Sequence, residues 1–445
     1  MTPAARLAAV IEIMDAVETG LRGQGAPADQ ILREYLKTRR YVGAKDRRAI
    51  ADRIYGILRR RGANLWALQE AGMTGAVSGR VMVLADCALY EPAELALFGA
   101  GGYGPTALND AEQALAEQLA GVTLDAMPPA ARANLPEQIY VSLFSRFGRN
   151  LEQELEALEQ RAPLDLRVNR LKTTRAAARQ ALAEAGIMAT PTPFSPWGLR
   201  VEPAQSLANQ VLYRDGGIEI QDEAAQVAAL LSAAESGERV VDLCAGAGGK
   251  TLAMAAMMAG AGGLMAADVD GRRLDMLRRR ATRAGLGEVP AYLLPLAGPQ
   301  RQAALASLGA DADMVFLDVP CSGSGTWRRN PDLRWRHDAS QLKALAARQA
   351  VLIDEGLALL KPGGRLIYAT CSLLQPENED QIAAALVRHS DTTALDYRHA
   401  WPSAVEGACP ETASHRSDCL LMTPARHGCD GFFVAILTKT GCQHQ

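Results

Sequence analysis

The chain has 445 residues, which is long enough for about two to four domains of roughly 150 residues each, with ample core. Its hydrophobic fraction of 48% and charged fraction of 22% are those of an ordinary soluble protein. The formal net charge of −3 excludes a protein that is basic over its whole surface.

Residues 1–130 are predicted to form an all-helical domain. Apolar residues such as Leu7, Val10 and Met14 recur at helical spacing, and strand-type alternation is absent. A glycine-rich break at 99–104 and prolines at 128, 129 and 136 indicate that this region ends in a linker.

The helical region carries a strongly basic stretch between Arg33 and Arg61. It contains eleven Lys and Arg residues against three acids, so its local net charge is +8. Two interpretations stay open: a solvated helical face, or a surface that contacts the phosphates of a nucleic acid. Under the second interpretation the candidate RNA-binding residues are Arg39, Arg40, Arg47 and Arg48.

Residues 137–215 change character and are predicted to form a small α/β unit. A helical pattern at 151–158 precedes a short strand at 164–169. A helix at 174–185 and a strand-like piece around 199–201 follow. This part of the sequence assigns no chemistry.

Residues 216–440 show regular alternation of strands and helices, which predicts a doubly wound, mostly parallel sheet. Strands are predicted at 239–243, 263–268, 290–296, 313–318 and 364–370, helices near 223–233, 249–260, 271–285, 340–360 and 377–388, and final strand-like pieces at 418–422 and 431–438.

The first strand of this sheet runs into a glycine-rich turn, Asp242-Leu-Cys-Ala-Gly-Ala-Gly-Gly-Lys-Thr251. Such a turn lets the backbone approach a ligand closely and points the amides of a helix N-terminus at it. A phosphate-binding P-loop needs glycine where Cys244 stands, and a dinucleotide fingerprint needs glycine where Thr251 stands. An S-adenosylmethionine site fits better, because the next strand ends at Asp268, whose carboxylate can accept hydrogen bonds from ribose hydroxyls. A tight turn without a ligand is the remaining alternative.

Two later strands each lead to a cysteine. The apolar run 314–317 is followed by Asp318-Val-Pro-Cys321, and the run 364–369 by Thr370-Cys371. If these strands are neighbours in one sheet, both thiols face one cleft at the carboxyl edge, where ligands bind in open α/β sheets. Buried cysteines that act as small hydrophobic residues are the alternative. Two of them at matching strand ends favour a functional pair.

These motifs resemble those of the Nop/Sun family of RNA cytosine-C5 methyltransferases. The resemblance rests on the glycine turn at 242–251, on Asp268 with Arg273, on Asp318-Val-Pro-Cys-Ser-Gly323, on Tyr368-Ala-Thr-Cys-Ser372 with Pro376-Glu-Asn-Glu379, and on Asp430-Gly-Phe-Phe433. The motifs cover most of 220–438 in the order of the family.

Segments that precede this region also look like the family. Leu166–Asn169 and Gln221–Glu223 resemble the part that comes before the catalytic sheet. Residues 1–130, through Arg47-Arg48 and Tyr55–Arg59, resemble the NusB-like RNA-binding domain of the bacterial small-subunit rRNA members. The resemblance therefore implies three domains: 1–130, 137–215 and an S-adenosylmethionine-dependent methyltransferase sheet in 216–440.

The resemblance also implies the ligands and their residues. The expected substrate is RNA, most of all rRNA, with tRNA as an alternative. The expected cofactor is S-adenosylmethionine, held by Cys244, Ala245, Gly246, Ala247, Gly248, Gly249, Lys250, Asp268, Val269, Arg273 and Asp318.

Cytosine C5 is a poor nucleophile until a group adds to C6. The resemblance assigns this addition to Cys371 as a thiolate and the later release of product to Cys321, and Asp318 is placed to hydrogen-bond the cytosine ring. An unperturbed thiol, with a pKa of about 8.5, is only a few per cent ionised at neutral pH. We therefore expect a helix N-terminus or an arginine such as Arg328 or Arg329 to favour the thiolate.

The stretch Trp327–Arg336 interleaves basic residues with two tryptophans, which suits phosphate contact and base stacking. Arg328 and Arg329 are accordingly candidate RNA-binding residues, while tryptophans packed into the core are an equally open alternative. The target base must leave any helix to reach the cleft, so a loop or bulge is the expected substrate.

One feature departs from the family. Members usually place an acid after the third strand, where it contacts the adenine amino group, but Leu294–Gln300 contains none. A catalytically weak RNA-binding or ribosome-assembly protein is therefore a rival interpretation, against which the two retained cysteines count. A zinc deaminase is excluded, because its motif needs cysteine where Ser324 stands and no His-x-Glu occurs.

The cysteines, charges and apolar runs bear on whether disulfides, a metal site or a membrane-spanning segment are expected. The eight cysteines form no CxxC pair, and Cys409, Cys419 and Cys429 fit no compact zinc spacing, so neither disulfides nor a metal is expected. Glu12 interrupts the first apolar run, and the longest uncharged run, 251–267, stops short of the ~20 residues that span a bilayer. We expect no membrane partner and a cytoplasmic location.

Overall fold

The structure is a computed structural model that describes residues 1–23, 25–403 and 408–440. The chain divides into two units. The first holds residues 1–155 and 327–340, and the second holds the other described residues.

The first unit is helical, as predicted for residues 1–130. Its helices are α1 (Pro3–Gly23), α2 (Ala28–Thr38), α3 (Ala44–Arg59), α4 (Arg61–Glu70), α5 (Gly79–Tyr90), α6 (Asp110–Ala120), α7 (Pro129–Arg132) and α8 (Glu137–Phe147), and α9 (Leu151–Glu159) crosses the boundary to the second unit. The core of this unit lies between α1, α3 and α5, where Met14, Val17, Ile50 and Ile54 are fully buried. Their spacing of three and four residues places them on one face of each helix.

Residues 327–340, from the second half of the chain, pack into this helical unit. The buried Asp332 carboxylate accepts a hydrogen bond of 3.2 Å from the Ala28 amide at the start of α2. Arg336 donates to the Gly25 and Ala26 carbonyls at 2.7 and 2.6 Å. The sequence alone does not predict this contact, since it joins residues some 300 positions apart.

The small α/β unit of the second part is an antiparallel sheet of order β2-β3-β1-β4. It comprises β1 (Leu164–Val168), α10 (Arg175–Glu184), β2 (Ala189–Pro191), β3 (Gly198–Val201), α11 (Val211–Arg214) and β4 (Ile218–Ile220). The strand at 164–169, the helix and the strand near 199–201 are confirmed. The three-residue strands β2 and β4 are too short to show a period and were not predicted.

The large sheet has the order β10-β12-β9-β8-β5-β6-β7, with β11 paired to β12. Its elements are α12 (Glu223–Leu230), β5 (Arg239–Asp242), α13 (Gly249–Met257), β6 (Gly263–Asp268), α14 (Gly271–Arg283), β7 (Ala291–Leu293), α15 (Pro299–Ser307), β8 (Ala312–Asp318), α16 (Ala339–Leu359), β9 (Leu360–Thr370), α17 (Glu379–Arg388), β10 (Thr392–Leu395), β11 (Leu420–Met422), α18 (Pro424–His427) and β12 (Phe432–Lys439). The mostly parallel, doubly wound sheet is confirmed, while α15, β10 and α18 were not predicted.

The order in which successive strands are added to the sheet changes direction at β5. From β5 it proceeds to β6 and β7 on one side, then returns to β8 and β9 on the other, and all these neighbours pair in parallel. Such a switch point opens a crevice outside the carboxyl ends of the strands. The predicted pairing of the two cysteine-bearing strands is confirmed, with Asp318 of β8 opposite Ala369 of β9.

Among the described residues, no helix is both long enough and apolar enough to cross a membrane.

Candidate active site

A cleft of about 930 Å³ opens at the carboxyl ends of β5, β6, β8 and β9, wholly within the second unit. Ten of the eleven predicted cofactor-binding residues line it, namely Cys244, Ala245, Gly246, Ala247, Gly249, Lys250, Asp268, Val269, Arg273 and Asp318. Cys321 and Cys371 line the same cleft. The sequence motifs from four separate strand ends therefore converge on one cavity.

Gly248 does not line the cleft but is needed for packing. Its φ of 85° lies in the left-handed region, and a Cβ added there would lie 2.7 Å from Leu277 Cγ of α14. The missing side chain lets the start of α13 pack closely against α14. Gly248 therefore supports the glycine turn from the side away from the cleft.

Backbone amides orient the Asp268 carboxylate. One of its oxygens accepts a hydrogen bond of 2.8 Å from the Gly246 amide, and the other accepts one of 2.8 Å from the Asp270 amide. Each carboxylate oxygen can accept more than one bond. The group therefore ties β6 to the glycine turn and retains lone pairs for a ligand in the cleft.

Asp242, at the end of β5, is a buried acid to which the sequence analysis gave no role. The Thr251 hydroxyl donates to one of its oxygens at 2.6 Å, and the other has no hydrogen-bond partner within the described part of the chain. Burial, reinforced by the nearby Asp318 carboxylate, raises the pKa of Asp242 to about 7.

Lys250 and Asp318 form an ion pair of 2.6 Å across the cleft. The Lys250 ammonium also lies 4.7 Å from the centre of the Phe432 ring, at a distance suited to a cation–π contact. The lysine of the glycine turn therefore contacts a carboxylate. In a complete P-loop the corresponding lysine would contact phosphate, so this contact agrees with the incomplete P-loop motif.

The two catalytic candidates touch each other. The Cys321 and Cys371 sulfurs are 3.3 Å apart, and the Gly325 amide donates to the Cys371 carbonyl at 2.9 Å. The hydrogen bond with Cys371 and burial raise the pKa of the Cys321 thiol well above its usual range. The Cys321 thiol is therefore harder to ionise than an ordinary cysteine thiol.

The loop of Cys321 is also fastened to the C-terminal Asp430-Gly-Phe-Phe433 motif. The Gly431 amide donates to the Gly325 carbonyl at 2.8 Å, and a Cβ on Gly325 would lie 2.1 Å from the Gly431 carbonyl oxygen. Only glycine permits this close approach.

The loop after β7, from which the expected acid is missing, reaches the cleft. Leu296 and Ala297 line the cleft there, so this loop offers apolar side chains and backbone groups. Arg301 of α15 also lines the cleft, but both ends of its guanidinium bond the Glu355 carboxylate at 2.6 Å.

Sequence reasoning missed several lining residues on helices. Arg348 and Leu352 of α16 lie one helical turn apart and both face the cleft. Their spacing shows that they share a face of the helix, but nothing local indicates which face meets the cavity.

The structure uses part of the Trp327–Arg336 stretch for packing. Trp327 is buried, with the Arg334 guanidinium 5.3 Å from its ring centre, which supports the core-packing interpretation for this tryptophan. Arg328 is buried as well, and Arg329 is half-buried. That either arginine binds RNA or acts on Cys371 stays a prediction.

The basic stretch of the first unit is partly neutralised by the fold. Acids outside the stretch pair with its arginines: Glu12 with Arg39, Glu18 with Arg61, Asp86 with Arg53 and Arg60, and Glu94 with Arg53.

The four candidate RNA-binding arginines of this unit differ in their availability. Arg47 donates to the Val42 carbonyl at 2.8 Å, and Arg39 is paired with Glu12. Arg40 and Arg48 are exposed, with Arg48 3.9 Å from Asp52.

No group of three or more His, Cys, Asp or Glu side chains that could hold a metal ion occurs in residues 1–23, 25–403 and 408–440.

The fold and the cleft define the class of protein as the Rossmann-like, S-adenosylmethionine-dependent methyltransferases. The crystal structure of PH0851 superposes with a TM-score of 0.76 over 97% of this chain and 99% of that one, at 24% identity, and shares the fold. A methyltransferase homolog protein from Pyrococcus horikoshii is 28% identical, with a TM-score of 0.57 over 69% of this chain and 96% of that one.

Sequence comparison narrows the class. A family model described as 16S rRNA methyltransferase RsmB/F matches residues 228–438, and a model of the RsmF/B-like ferredoxin-like domain matches 135–208. The probable ribosomal RNA small subunit methyltransferase B of Synechocystis is 36% identical over 63% of this chain, and the match spans 61% of that relative's length. Ribosomal RNA small subunit methyltransferase B of Salmonella typhi is 33% identical over 69% of this chain and 67% of its own length.

The chain belongs to the RsmB/F family of 16S rRNA methyltransferases. The resemblance to the bacterial small-subunit rRNA members is thereby confirmed. The NusB-like character of residues 1–130 and the three-domain boundaries stay predictions.

Proposed function

We propose that this protein transfers a methyl group from S-adenosylmethionine to C5 of a cytosine in RNA, with small-subunit rRNA as the substrate. The observation that carries the proposal is the contact of 3.3 Å between the Cys321 and Cys371 sulfurs at the edge of the cleft, beside the Asp318–Lys250 pair. The names of the family and of its relatives support rRNA as the substrate.

The residues of the cleft fit the cofactor. The carboxylate of Asp268 can accept from ribose hydroxyls, and the carboxylates of Asp242 and Asp318 can face an amino group or a sulfonium. Gly246 has a φ of 53° and open space where a Cβ would lie, so the turn can lie close to a ligand. When bound, S-adenosylmethionine supplies an electrophilic methyl group.

Cys371 is the proposed nucleophile. Its sulfur adds to C6 of the cytosine, which turns C5 into an enamine-like carbon able to attack the methyl group. Asp318 is proposed to hydrogen-bond the ring edge, and Lys250 holds that carboxylate in place.

Cys321 is proposed for the release of the product, in which the C5 proton is removed and the bond between Cys371 and C6 breaks. Because its pKa is raised, a thiolate formed at Cys321 is a stronger base than an ordinary cysteine thiolate. It lies against the sulfur that must leave.

Two cysteine variants test the mechanism. We expect Cys371→Ala to abolish methylation, and Cys321→Ala to accumulate a covalent protein–RNA complex that survives a denaturing gel. Cys409→Ala, which lies outside the cleft, is the matched control and should do neither. Full activity of both cleft variants would refute the assignment.

The alternative function is that of a ribosome-assembly protein with a weak transferase domain. The observation that favours it is the missing acid after β7. Isothermal titration with S-adenosylmethionine separates the two functions, since only the enzyme requires binding. Bisulfite sequencing of total RNA from a deletion strain then identifies the methylated cytosine and decides between rRNA and tRNA.

A further inference from the structure

A buried carboxylate, Glu377, lies between the two cysteine loops and is only 1% exposed. One of its oxygens accepts hydrogen bonds from the Ser322 amide at 2.8 Å and from the Gln349 side chain at 3.1 Å. The other accepts from the hydroxyls of Ser322 and Ser372, both at 2.5 Å. The resemblance to the family includes this residue, but nothing in the sequence analysis gave it a role.

The contacts of Glu377 fall on the residue that follows each cysteine in the chain. Ser322 follows Cys321 and Ser372 follows Cys371, so a single carboxylate holds both loops. Ser324 adds a third link, because its hydroxyl lies 3.1 Å from that of Ser372 and accepts from the Leu373 amide at 2.8 Å.

Glu377 is itself held in place. The Tyr368 hydroxyl of β9 donates to its backbone carbonyl at 2.6 Å. Gln349 of α16, which donates to the carboxylate, also donates to the Pro320 carbonyl at 2.9 Å, next to Cys321. The carboxylate is thus fixed relative to β9, α16 and both loops.

The hydrogen-bond donors to this carboxylate are all uncharged groups within the described residues. Burying a charge is costly, and apolar side chains often stabilise a fold as well as a buried polar network does. A negative charge beside two thiols also disfavours a second negative charge there. The carboxyl group is therefore placed to act on both cysteine loops.

We propose that Glu377 is a positioning residue, which ties the two cysteine loops together and thereby sets the contact between the Cys321 and Cys371 sulfurs. This role rests on the proposed function, since it concerns the same two sulfurs. Glu377 also contributes, after the Cys371 sulfur and burial, to the raised pKa of Cys321. Glu377 thus holds the two sulfurs in contact, and this contact makes Cys321 harder to ionise than an ordinary cysteine.

Other ionisable groups surround the pair, and the test must separate them from Glu377. They are Asp242, Cys244, Asp268, Asp318, Lys250, Arg273, Arg301 and Arg348, which line the cleft, and Tyr368, which packs behind it. A change confined to Glu377 leaves all of these in place.

The substitution Glu377→Gln keeps the size of the side chain and removes its charge. We would measure the alkylation of Cys321 and Cys371 separately, by mass spectrometry of their peptides, across a range of pH in the full-length protein. We expect the pH midpoint of Cys321 alkylation to fall by about one unit, equivalent to about a tenfold faster reaction at a given pH below the midpoint. We also expect kcat for methyl transfer to fall while KM for RNA is unchanged.

Asp380→Asn is the matched control, because Asp380 is an exposed acid three positions further on. It should leave the alkylation profiles and the activity unchanged. An unaltered Cys321 profile in a folded Glu377→Gln protein would overturn the positioning role.

If Glu377→Gln does not fold, Ser322→Ala and Ser372→Ala each remove one of the 2.5 Å bonds and should shift the Cys321 profile in the same direction. Unchanged profiles in both serine variants would equally overturn the role. Alkylation does not require methyl transfer, so a shifted profile without any covalent RNA complex in Cys321→Ala would refute the proposed function and leave the positioning role standing.

Discussion

The buried acid Asp242 makes the stability of the second unit depend on pH. Its pKa is about 7 in the folded protein, whereas an aspartate in an unfolded chain has a pKa of about 3.9. Between these values the folded state binds more protons than the unfolded state. The free energy of unfolding therefore falls as the pH rises from about 4 to about 7 and levels off above that.

The size of the effect follows from the shift. About three pKa units, at about 1.4 kcal/mol each, give an upper value of about 4 kcal/mol. For a domain of about 150–250 residues, 1 kcal/mol corresponds to about 2–4 °C in Tm, so the full effect is of order 10 °C. Asp242→Asn removes the titration and still offers an oxygen to the Thr251 hydroxyl, whose bond is 2.6 Å long.

The assay is thermal unfolding of both proteins at about pH 5 and about pH 8. Most of the expected fall in the free energy of unfolding lies between these two values. We expect the Asn variant to gain stability relative to the parent as the pH rises. Asp311→Asn is the control, since Asp311 is an exposed partner of Arg239 and its removal should change the free energy of unfolding by about 1 kcal/mol or less. Parallel curves of Tm against pH for the parent and Asp242→Asn would refute the reasoning.

Two further substitutions probe the cleft and the RNA surface. Gly248→Ala should destabilise the protein by about 1–3 kcal/mol and weaken the binding of S-adenosylmethionine in isothermal titration, since the residue has φ of 85° and no room beside Leu277. Gly237→Ala, with φ of 91° and open space, is the control. Equal losses of stability in both variants would show that backbone strain alone is responsible. Arg40→Ala should weaken RNA binding and reduce the slope of log affinity against log salt by about one, with Tm unchanged; an unaltered slope would support the solvated-face interpretation.

The element pattern of the catalytic region was readable because its signals are local. Buried parallel strands appear as short apolar runs, and each is followed by a turn residue or a carboxylate. The runs at 239–243, 263–268, 313–318 and 364–370 therefore predicted β5, β6, β8 and β9. In alternating α/β chains the carboxyl ends of parallel strands lie at one edge of the sheet. Cys321 and Cys371 could therefore be expected in one cleft from the sequence alone.

The two questions that the sequence left open, the basic stretch and the tryptophans, have a common cause, which is that charge and exposure depend on distant partners. The local charge of the stretch from Arg33 to Arg61 ignored Glu12, Glu18, Asp86 and Glu94, which the helical packing brings to it. Likewise, a tryptophan among arginines looks like a stacking platform, yet Trp327 is buried beneath Arg334.

The residue order alone thus established a doubly wound sheet, a glycine turn and two thiols at adjacent strand ends, because periodicity, turn chemistry and strand-end motifs are properties of short segments. The packed chain added the contact between the sulfurs, the burial of Asp242 and Glu377, and the pairing of the surface arginines. Each of these depends on which groups lie within a few ångströms after folding, and pKa values and hydrogen bonds respond to that distance and to the exclusion of water.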